Sequence, residues 1–392
     1  MASAAGRPAL GVGMVGYSFM GRAHSQAWRT APRAFDLPLA PRLVAVAGRS
    51  AENVEAARAQ LGFEEGVTDW RALLERDDVG LVDICTPGDS HAEIAVAALD
   101  AGKHVLCEKP LATSVDEGEL MVAAAERAAP SGVKAMVGFN YRRVPALAFA
   151  RQLIADGRLG AIRHVRAVYL QDWIVDPEFP LVWRLQAEHA GSGALGDIGA
   201  HIIDAAQFLL GDEIAAVSGL TETFVKERPL AGASAGLSAA GAAERGPVTV
   251  DDAALFLARF PGGAIGTFEA TRFATGRKNG LAIEVNGALG SLRFDLERLS
   301  ELELYDARDE ATVQGFRRIL ITAAEHPYME AWWPPGHLIG WEHSFTHEVR
   351  DLVVGIADGT EVRPTFADGL QVERVLAAVS RSAARGAWED VT

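Results

Sequence analysis

Lys109 is the first residue whose position indicates chemistry, because it stands between Glu108 and Pro110 directly after an apolar run. The run is typical of a buried strand. In open parallel sheets, ligands bind beyond the carboxyl ends of the strands. A solvated surface lysine is the ordinary alternative, but this position favours a lysine that faces the ligand crevice.

A second set of polar side chains lies in the segment GALGDIGAHIIDAAQFLLG, residues 193–211, which is otherwise typical of an apolar helix. Asp197, His201 and Asp204 recur at i, i+4 and i+7 and therefore form one polar stripe. Buried charges require partners or a cavity. Three interpretations stay open from the residues alone: a structural Asp–His pair, a metal site without an obvious third ligand, or a catalytic group.

The segment GVGMVGYSFMG, residues 11–21, contains the glycine pattern of a dinucleotide-binding turn in two overlapping frames. Such a turn needs a strand before it and a helix after it, so that backbone N–H groups meet the pyrophosphate. The frame Gly16, Ser18, Gly21 satisfies this requirement, because an apolar strand at 10–15 precedes it and a helical apolar face follows it. Ser18 replaces a usual glycine, and its hydroxyl can itself donate to a phosphate.

The elements around these residues alternate between strand and helix. Further strands are predicted at 42–50, 79–87, 103–110 and 133–139, with helices at 52–62, 91–102 and 114–129. Nearly continuous apolar strands are typical of a parallel sheet that is covered on both faces. We predict an α/β fold class with a six-stranded, doubly wound Rossmann domain over residues 1–145.

From about residue 160 the pattern changes to strands joined by turns. These strands are predicted within 161–173, 250–260, 264–273, 281–295 and 301–306. They indicate an α+β domain over residues 146–392 with a large, mostly antiparallel sheet. The Ala/Gly/Ser-rich stretch 228–247 lacks periodicity and is predicted to be an exposed, mobile loop. Segments 342–357 and 368–385 are predicted helices, and the last of them can pack back on the first domain.

Composition excludes several classes of function. The 392 residues carry a formal net charge of -15, which argues against nucleic acid as a partner because such binding relies on clustered Lys and Arg. Neither a signal peptide nor a run of roughly 20 apolar residues is present, so we expect no membrane partner and a cytoplasmic location. Cys85 and Cys107 are predicted to be small buried side chains. The i, i+4 pair His343 and His347 is interpreted as the first turn of a helix, and no metal site is predicted.

Together these segments resemble the Gfo/Idh/MocA family of nicotinamide-dependent sugar and inositol oxidoreductases. The similar segments are VGYSFMGRAH, ICTPGDSHAEIAVAALDAGKHVLCEKP, GDIGAHIID and PTFADGLQVERVLAAVSRSAARGAW, and they extend over nearly the whole chain. Within the family, FNYRRVPA, LQDW, GSGALGDI, VTVDD and EHPY are most similar to the levoglucosan dehydrogenase-like branch.

The resemblance implies an NAD(P)-dependent oxidoreductase that moves a hydride between nicotinamide and the hydroxyl or keto carbon of a cyclic polyol or pyranose. By position, it makes Lys109, Asp197 and His201 the catalytic residues. Histidine suits the base that takes the hydroxyl proton while hydride leaves the same carbon. Lys109 would hydrogen-bond the reacting oxygen, and Asp197 would orient the substrate or the imidazole.

Further site residues are predicted from the same resemblance and from the strand ends. Tyr141 matches a substrate-contacting tyrosine, and Arg142, Trp173 and Trp333 are the other predicted substrate contacts. Trp333 lies in the aromatic segment 326–341, which fits a sugar site or a subunit contact. The predicted cofactor contacts are Gly16, Ser18, Phe19, Met20, Arg49, Ser50, Thr86, Pro87, His91, Glu108 and Lys109.

Cofactor choice stays open between NAD and NADP. Arg49 and Ser50 follow the second strand, where an acidic residue would bind the ribose of NAD, so the local residues favour NADP whereas the resemblance favours NAD.

The resemblance also implies a homo-oligomer, a dimer or tetramer, formed on an exposed sheet face. A non-catalytic dinucleotide-binding sensor or repressor is the alternative function, and the joint presence of Lys109, Asp197 and His201 favours the enzyme.

Overall fold

The computed structural model describes residues 6–235 and 238–392. The chain divides into two compact units, Met1–Asn140 with Glu342–Leu370, and Tyr141–Trp341 with Gln371–Thr392. The N-terminal segment of the first unit ends at Asn140, whereas the predicted domain ends at residue 145. The first unit also includes a C-terminal segment that the sequence pattern placed with the second domain.

The first unit contains a six-stranded sheet. Its strands are β1 (Ala9–Val15), β2 (Ala40–Ala47), β3 (Glu65–Val67), β4 (Leu81–Ile84), β5 (His104–Cys107) and β6 (Ala135–Val137). They pair in parallel in the order β3-β2-β1-β4-β5-β6. This is the doubly wound order, and it confirms the predicted Rossmann sheet. β3 was not predicted because it is short and carries no apolar run.

Helices of the first unit follow the strands. Before Asn140 these are α1 (Phe19–Ala34), α2 (Ala51–Leu61), α3 (Arg71–Leu74), α4 (His91–Asp100) and α5 (Val115–Ala128). α1 buries the predicted face, which includes Ala23, His24, Ala27 and Trp28. Cys85 and Cys107 are buried free thiols, as predicted.

The second unit contains a nine-stranded sheet, and three α-helices lie in its described residues before Trp341. The helices are α6 (Pro145–Ala155), α7 (Ala187–Ala190) and α8 (Ala200–Leu210). The strands are β7 (Ile162–Leu170), β8 (Ala216–Glu222), β9 (Glu227–Ala235), β10 (Ser238–Pro247), β11 (Ala253–Arg259), β12 (Ile265–Thr271), β13 (Gly280–Gly287), β14 (Gly290–Asp295), β15 (Glu301–Asp306), β16 (Arg317–Leu320) and β17 (Glu389–Asp390), of which β9 and β10 lie outside the large sheet.

The large sheet has the order β16-β15-β14-β13-β7-β12-β11-β8-β17. Among its described pairs only β7 and β12 run parallel, so the predicted, mostly antiparallel sheet is confirmed. β11 alternates in burial: Phe256 and Ala258 face the core, whereas Leu255 and Leu257 are exposed. Such alternation is typical of a sheet with one face against the core.

β9 and β10 form an antiparallel hairpin, so the predicted loop over 228–247 was wrong. Residues 236 and 237 of that stretch lie outside the described residues. The small side chains gave no periodicity, and the pairing depends instead on long-range contacts. Leu181 donates its backbone N–H to the carbonyl of Pro229 at 2.7 Å, and the buried Arg228 donates to carbonyls of residues 174–179.

The predicted helix at 193–211 is divided into a π-helical turn, Leu195–Gly199, and α8. Because a π turn holds more residues than an α turn, Asp197 leaves the regular i, i+4 register with His201. The residues of the predicted polar stripe therefore lie on two kinds of helical turn, Asp197 on the π turn and His201 and Asp204 on α8. Each of the three side chains has different neighbours.

Two C-terminal helices match the predicted segments. They are α9 (His343–Asp358) and α10 (Phe366–Arg385). His343 begins α9, as its spacing with His347 indicated, and His347 is buried with its ring centroid 5.9 Å from that of Phe35. Within the described ranges, none of the helices combines the length and apolar character that crossing a bilayer requires.

Candidate active site

The nucleotide turn lies between β1, which ends at Val15, and α1, which begins at Phe19. This confirms the frame Gly16, Ser18, Gly21. Gly16 has φ +93°, and a Cβ there would lie 2.7 Å from the carbonyl oxygen of Cys85; a Cβ on Gly21 would lie 2.4 Å from the carbonyl oxygen of Gly16. Only glycine fits these two positions, and the N-terminus of α1 offers N–H groups to a pyrophosphate.

Three predicted cofactor contacts surround this helix start. Ser18 is exposed as the N-cap residue of α1, and its side chain makes no capping hydrogen bond. Phe19 is exposed and Met20 is half-buried. A turn of this shape, with exposed polar and apolar groups beside it, fits the pyrophosphate of a dinucleotide.

The carboxyl end of β2 carries Gly48, Arg49 and Ser50. Arg49 is exposed, whereas Ser50 caps α2 by accepting the N–H of Asn53 at 3.4 Å. A Cβ on Gly48 would lie 2.1 Å from the ring of Tyr17, so the tyrosine packs directly over this turn. The exposed guanidinium is available to the adenosine end of a cofactor.

His91 joins the turns that follow β4 and β5. Its Nε2 lies 2.9 Å from the carbonyl oxygen of Thr86, and its Nδ1 lies 2.9 Å from the carbonyl oxygen of Pro110. The imidazole is buried, so its contacts in the structure are with these two turns. Thr86 also accepts a hydrogen bond from Ser90, whereas Pro87 is exposed at the same strand end.

Lys109 is half-buried at the carboxyl end of β5, where it was predicted. The Glu108 side chain is buried and lies inside the unit. Its Oε2 accepts the backbone N–H of Lys109 at 3.1 Å, and its Oε1 lies 2.9 Å from Nε2 of His24. Glu108 therefore contacts the main chain of Lys109 rather than standing exposed as a ligand group.

His201 of the second unit lies against two tyrosines. Its ring centroid is 4.7 Å from that of Tyr141 and 5.8 Å from that of Tyr169, and all three side chains are buried. The two hydroxyl oxygens are 2.9 Å apart. Trp341 donates its indole N–H to the Tyr141 oxygen at 3.2 Å. The predicted base and the predicted substrate tyrosine are thus neighbours.

A chain of hydrogen bonds continues from these tyrosines. Tyr169 donates to Oδ1 of Asn279 at 2.7 Å, and Gln171 donates to the same oxygen at 3.0 Å. Because the Tyr169 proton goes to Asn279, the Tyr141 hydroxyl donates to Tyr169. Burial raises the pKa of Tyr169 well above its ordinary value, and the neighbouring Tyr141 and Asp197 add to this, so the phenol stays protonated and can donate.

Asp197 lies beside two arginines. Its Oδ2 is 3.5 Å from Nη1 of Arg272, which is fully buried, and its side chain remains partly exposed. Burial lowers the pKa of Arg184, and the charge of Asp197 opposes that change. The aspartate is therefore held in a cationic environment next to the His201 helix.

Arg142 and Asp204 form a nearly buried ion pair. Nη2 of Arg142 lies 2.6 Å from Oδ1 of Asp204, and Nε lies 3.0 Å from each carboxylate oxygen. The guanidinium carbon is also 5.3 Å from the ring centroid of Phe208. The partner of Asp204 is therefore Arg142, a predicted substrate contact, and not a histidine as in the predicted Asp–His pair.

The two predicted tryptophan contacts differ in environment. Trp173 is half-buried, donates to Oε1 of Gln171 at 3.0 Å and packs edge-on against Phe179. Trp333 is 58% exposed. In the aromatic segment 326–341 it is Trp341 that contacts Tyr141.

Comparison with known proteins decides the family. Residues 10–139 match the model described as the oxidoreductase family, NAD-binding Rossmann fold, and residues 147–293 match the GFO/IDH/MocA C-terminal domain. Levoglucosan dehydrogenase of Pseudarthrobacter phenanthrenivorans is 44% identical over 387 residues, which cover 97% of this chain and 98% of that protein. The chain belongs to the Gfo/Idh/MocA family. The predicted resemblance is confirmed.

Solved structures of other family members agree closely with this one. An oxidoreductase domain protein from Kribbella flavida is 63% identical with a TM-score of 0.94, and the alignment covers 98% of this chain and all of that chain. Levoglucosan dehydrogenase in complex with NADH and levoglucosan is 43% identical with a TM-score of 0.92, over 97% of this chain and 99% of that chain.

Four residues beside the site were not predicted from the sequence: three of them contact predicted site residues, and Asn279 contacts Tyr169. Tyr169 occupies an inward position of an alternating strand, which was its one signal, and Trp341 stands in the aromatic segment that was singled out. His24 and Asn279 carried no signal, because their partners lie far away in the sequence. They are Tyr169, Trp341, His24 and Asn279.

Proposed function

We propose that this protein is an NAD(P)-dependent dehydrogenase that oxidises a secondary hydroxyl of a pyranose sugar or cyclic polyol. The observation that carries the proposal is the arrangement in the second unit, where His201 packs against the hydrogen-bonded Tyr141 and Tyr169. A buried base beside hydroxyl groups that can donate and accept suits a polyhydroxy substrate. The glycine turn and Lys109, the other predicted groups, belong to the first unit.

Each catalytic residue has a distinct proposed role. His201 takes the proton of the reacting hydroxyl at a ring nitrogen, and Lys109 donates a hydrogen bond to the same oxygen as negative charge develops on it. Asp197, held beside Arg272, orients the substrate. When bound, the nicotinamide supplies the hydride acceptor. The substrate contacts proposed beside these residues are Tyr141, Trp173 and Trp341.

The cofactor is proposed to lie on the glycine turn, with Gly16 and Ser18 at its pyrophosphate and Arg49 at its adenosine end. NAD is the first choice, because the matched domain is described as NAD-binding and a levoglucosan dehydrogenase neighbour holds NADH. Arg49 carries no acidic neighbour in the sequence, so NADP is the alternative. Arg49→Asp should raise the ratio of NAD to NADP efficiency, and an unchanged ratio would remove Arg49 from the cofactor site.

Levoglucosan is the first substrate to test, because the 44% identical relative is named for it. The assay follows reduced nicotinamide by absorbance with levoglucosan, free pyranoses, glycosides and inositols, each with NAD and with NADP. Turnover of at least one of these compounds is expected. NADH binding without turnover of any of them would instead support the sensor or repressor.

Lys109→Ala tests the catalytic assignment. The variant should lose roughly 10²- to 10⁴-fold in kcat, the contribution of a positioned proton-transfer or polarising group. Lys226→Ala is the control, because Lys226 is an exposed lysine paired with Glu222 on the surface. Wild-type kcat in the Lys109 variant would exclude the assignment.

We further propose that a second copy of this chain covers the exposed face of the nine-stranded sheet. Leu220, Leu255, Leu257, Ile265 and Trp388 are large, exposed apolar side chains on strands β8, β11 and β12 and beside β17. A groove of about 250 Å³ passes Leu257, Ile265 and Trp388. Exposed apolar patches of this kind mark protein interfaces, and a self-complementary sheet face suits a symmetric dimer or tetramer.

Light scattering after size exclusion tests this interface. Leu257→Arg should shift the protein to a smaller species, whereas Leu120→Arg, at an exposed leucine of α5, should not. A monomeric wild-type protein would exclude the proposal.

The buried thiols of Cys85 and Cys107 support a reducing compartment, and the proposed cytoplasmic location can be checked by cell fractionation.

A further inference from the structure

His24 of α1 lies between two buried carboxylates of the first unit. Its Nδ1 is 2.9 Å from Oδ1 of Asp83 on β4, and its Nε2 is 2.9 Å from Oε1 of Glu108 at the end of β5. The three side chains are 1%, 0% and 4% exposed. Each ring nitrogen thus faces a carboxylate oxygen, and in the imidazolium form both nitrogens donate.

Electrostatics agrees with this geometry. Burial by itself would lower the pKa of His24, but the adjacent Asp83 and Cys85 together more than reverse this, and the pKa lies well above its ordinary value. A buried cation with two carboxylate partners forms short, charge-assisted hydrogen bonds. The imidazolium therefore fixes both carboxylates.

The chain of contacts continues at both ends. Trp28 donates its indole N–H to Oδ2 of Asp83 at 2.7 Å. At the other end, Oε2 of Glu108 accepts the backbone N–H of Lys109 at 3.1 Å. One line of hydrogen bonds thus leads from the interior of α1 to the main chain of the lysine.

His24, Asp83 and Cys85 also have the spacing of metal ligands. Among the described residues, no other group of His, Cys, Asp and Glu side chains has this spacing. The hydrogen bonds account for it without an ion. Asp83 Oδ2 accepts the indole N–H of Trp28, and Nδ1 of His24 donates to Oδ1. Burial raises the pKa of the Cys85 thiol, which disfavours the thiolate that a metal needs.

We propose that His24 is a positioning residue for Lys109: it fixes the Glu108 carboxylate, and Glu108 fixes the main chain from which the lysine extends. The inference rests on the proposed function, in which Lys109 contacts the reacting oxygen. Without the imidazolium, Glu108 is a buried carboxylate without its cation and must move or take up a proton. The backbone of Lys109 moves with it, and a displacement of about 1 Å costs roughly 10²-fold in rate.

Three variants test this role. His24→Gln and Glu108→Gln each keep the approximate size of the side chain and remove one charge of the pair. His347→Gln is the control, because His347 is also a buried histidine of the first unit but packs against Phe35. For each variant we would measure kcat, KM, the dissociation constant of NADH and the melting temperature.

The expected result separates positioning from stability. His24→Gln and Glu108→Gln should lower kcat by about 10- to 10²-fold while NADH affinity changes little. His347→Gln should lower the melting temperature and keep kcat. If His24→Gln does not fold, Glu108→Gln decides alone, because its side chain is isosteric. Wild-type kcat in a folded His24 or Glu108 variant, at saturating substrate, would overturn the proposal.

A spectroscopic readout does not depend on activity. The chain has only five lysines, Lys103, Lys109, Lys134, Lys226 and Lys278, so labelling with ¹⁵N-lysine gives five backbone amide signals. The Lys109 signal, identified by its loss in Lys109→Met, should move in His24→Gln more than the other four. An unmoved signal would contradict the coupling.

Failure of this inference can be told from failure of the proposed function. If Lys109→Met keeps full turnover, the catalytic role of the lysine is wrong, whatever the amide signal shows. If Lys109→Met loses turnover while His24→Gln keeps both kcat and the Lys109 amide signal, only the positioning role of His24 is wrong.

Discussion

Replacing Arg142 by methionine is expected to destabilise the second unit rather than to weaken substrate binding. Its guanidinium makes contacts of 2.6–3.0 Å with Asp204, and the two side chains are 10% and 3% exposed. The Arg142→Met variant leaves the Asp204 carboxylate buried without its cation. Breaking a buried pair on one side costs about 3–5 kcal/mol.

The double variant Arg142→Met with Asp204→Leu sharpens this test. Replacing both members of a buried ion pair by apolar residues is often neutral or stabilising, because neither charge then has to be desolvated. We therefore expect the double variant to recover most of the stability that Arg142→Met loses. Such recovery is a coupling between neighbouring residues, which a double-mutant cycle measures directly.

Urea denaturation of both variants, followed by circular dichroism, gives the free energies of unfolding. Arg166→Met is the control: its partner Glu284 lies at 3.2 Å, but both side chains are substantially exposed, so the expected cost is about 0–1 kcal/mol. Sugar kinetics are measured on the same samples. A raised KM with an unchanged free energy of unfolding would refute the structural role and support the prediction that Arg142 contacts the substrate.

The Rossmann part was largely predictable from sequence because its chemistry is local. The apolar strands, the glycine turn and the helix that follows it are neighbours in the chain, so period and spacing predict them. Gly16 and Gly21 show the physical reason: each stands where a Cβ would lie within 3 Å of a backbone oxygen. Lys109 was predictable for the same reason, since it directly follows a strand.

Side-chain partners were not predictable, because they are set by contacts between distant segments. Arg142 and Asp204 are 62 residues apart, and His24 and Glu108 are 84 apart. The same limit explains the hairpin at 228–247, where Arg228 binds carbonyls about 50 residues earlier. The family resemblance assigned site residues by their position in the sequence. Only the structure shows that Arg142 and Glu108 lie against charged protein groups.

Three further changes test other contacts. Tyr169→Phe leaves the Tyr141 hydroxyl without its acceptor. It should lower kcat, measured by kinetics, and lower the free energy of unfolding, measured by urea denaturation, by about 1–3 kcal/mol. Trp341→Phe should raise the KM for sugar roughly fivefold, since a neutral hydrogen bond contributes about 1 kcal/mol; the exposed Trp333→Phe should leave it unchanged, and equal effects would contradict this. Arg228→Met should speed hydrogen exchange of segment 174–179, because the guanidinium donates to the carbonyls of Ile174 at 2.6 Å, Asp176 at 2.8 Å and Phe179 at 3.2 Å. Lys226→Met is its control, because Lys226 directly precedes the same hairpin and pairs with Glu222, outside that segment; equal exchange in the two variants would show that the buried arginine does not anchor it.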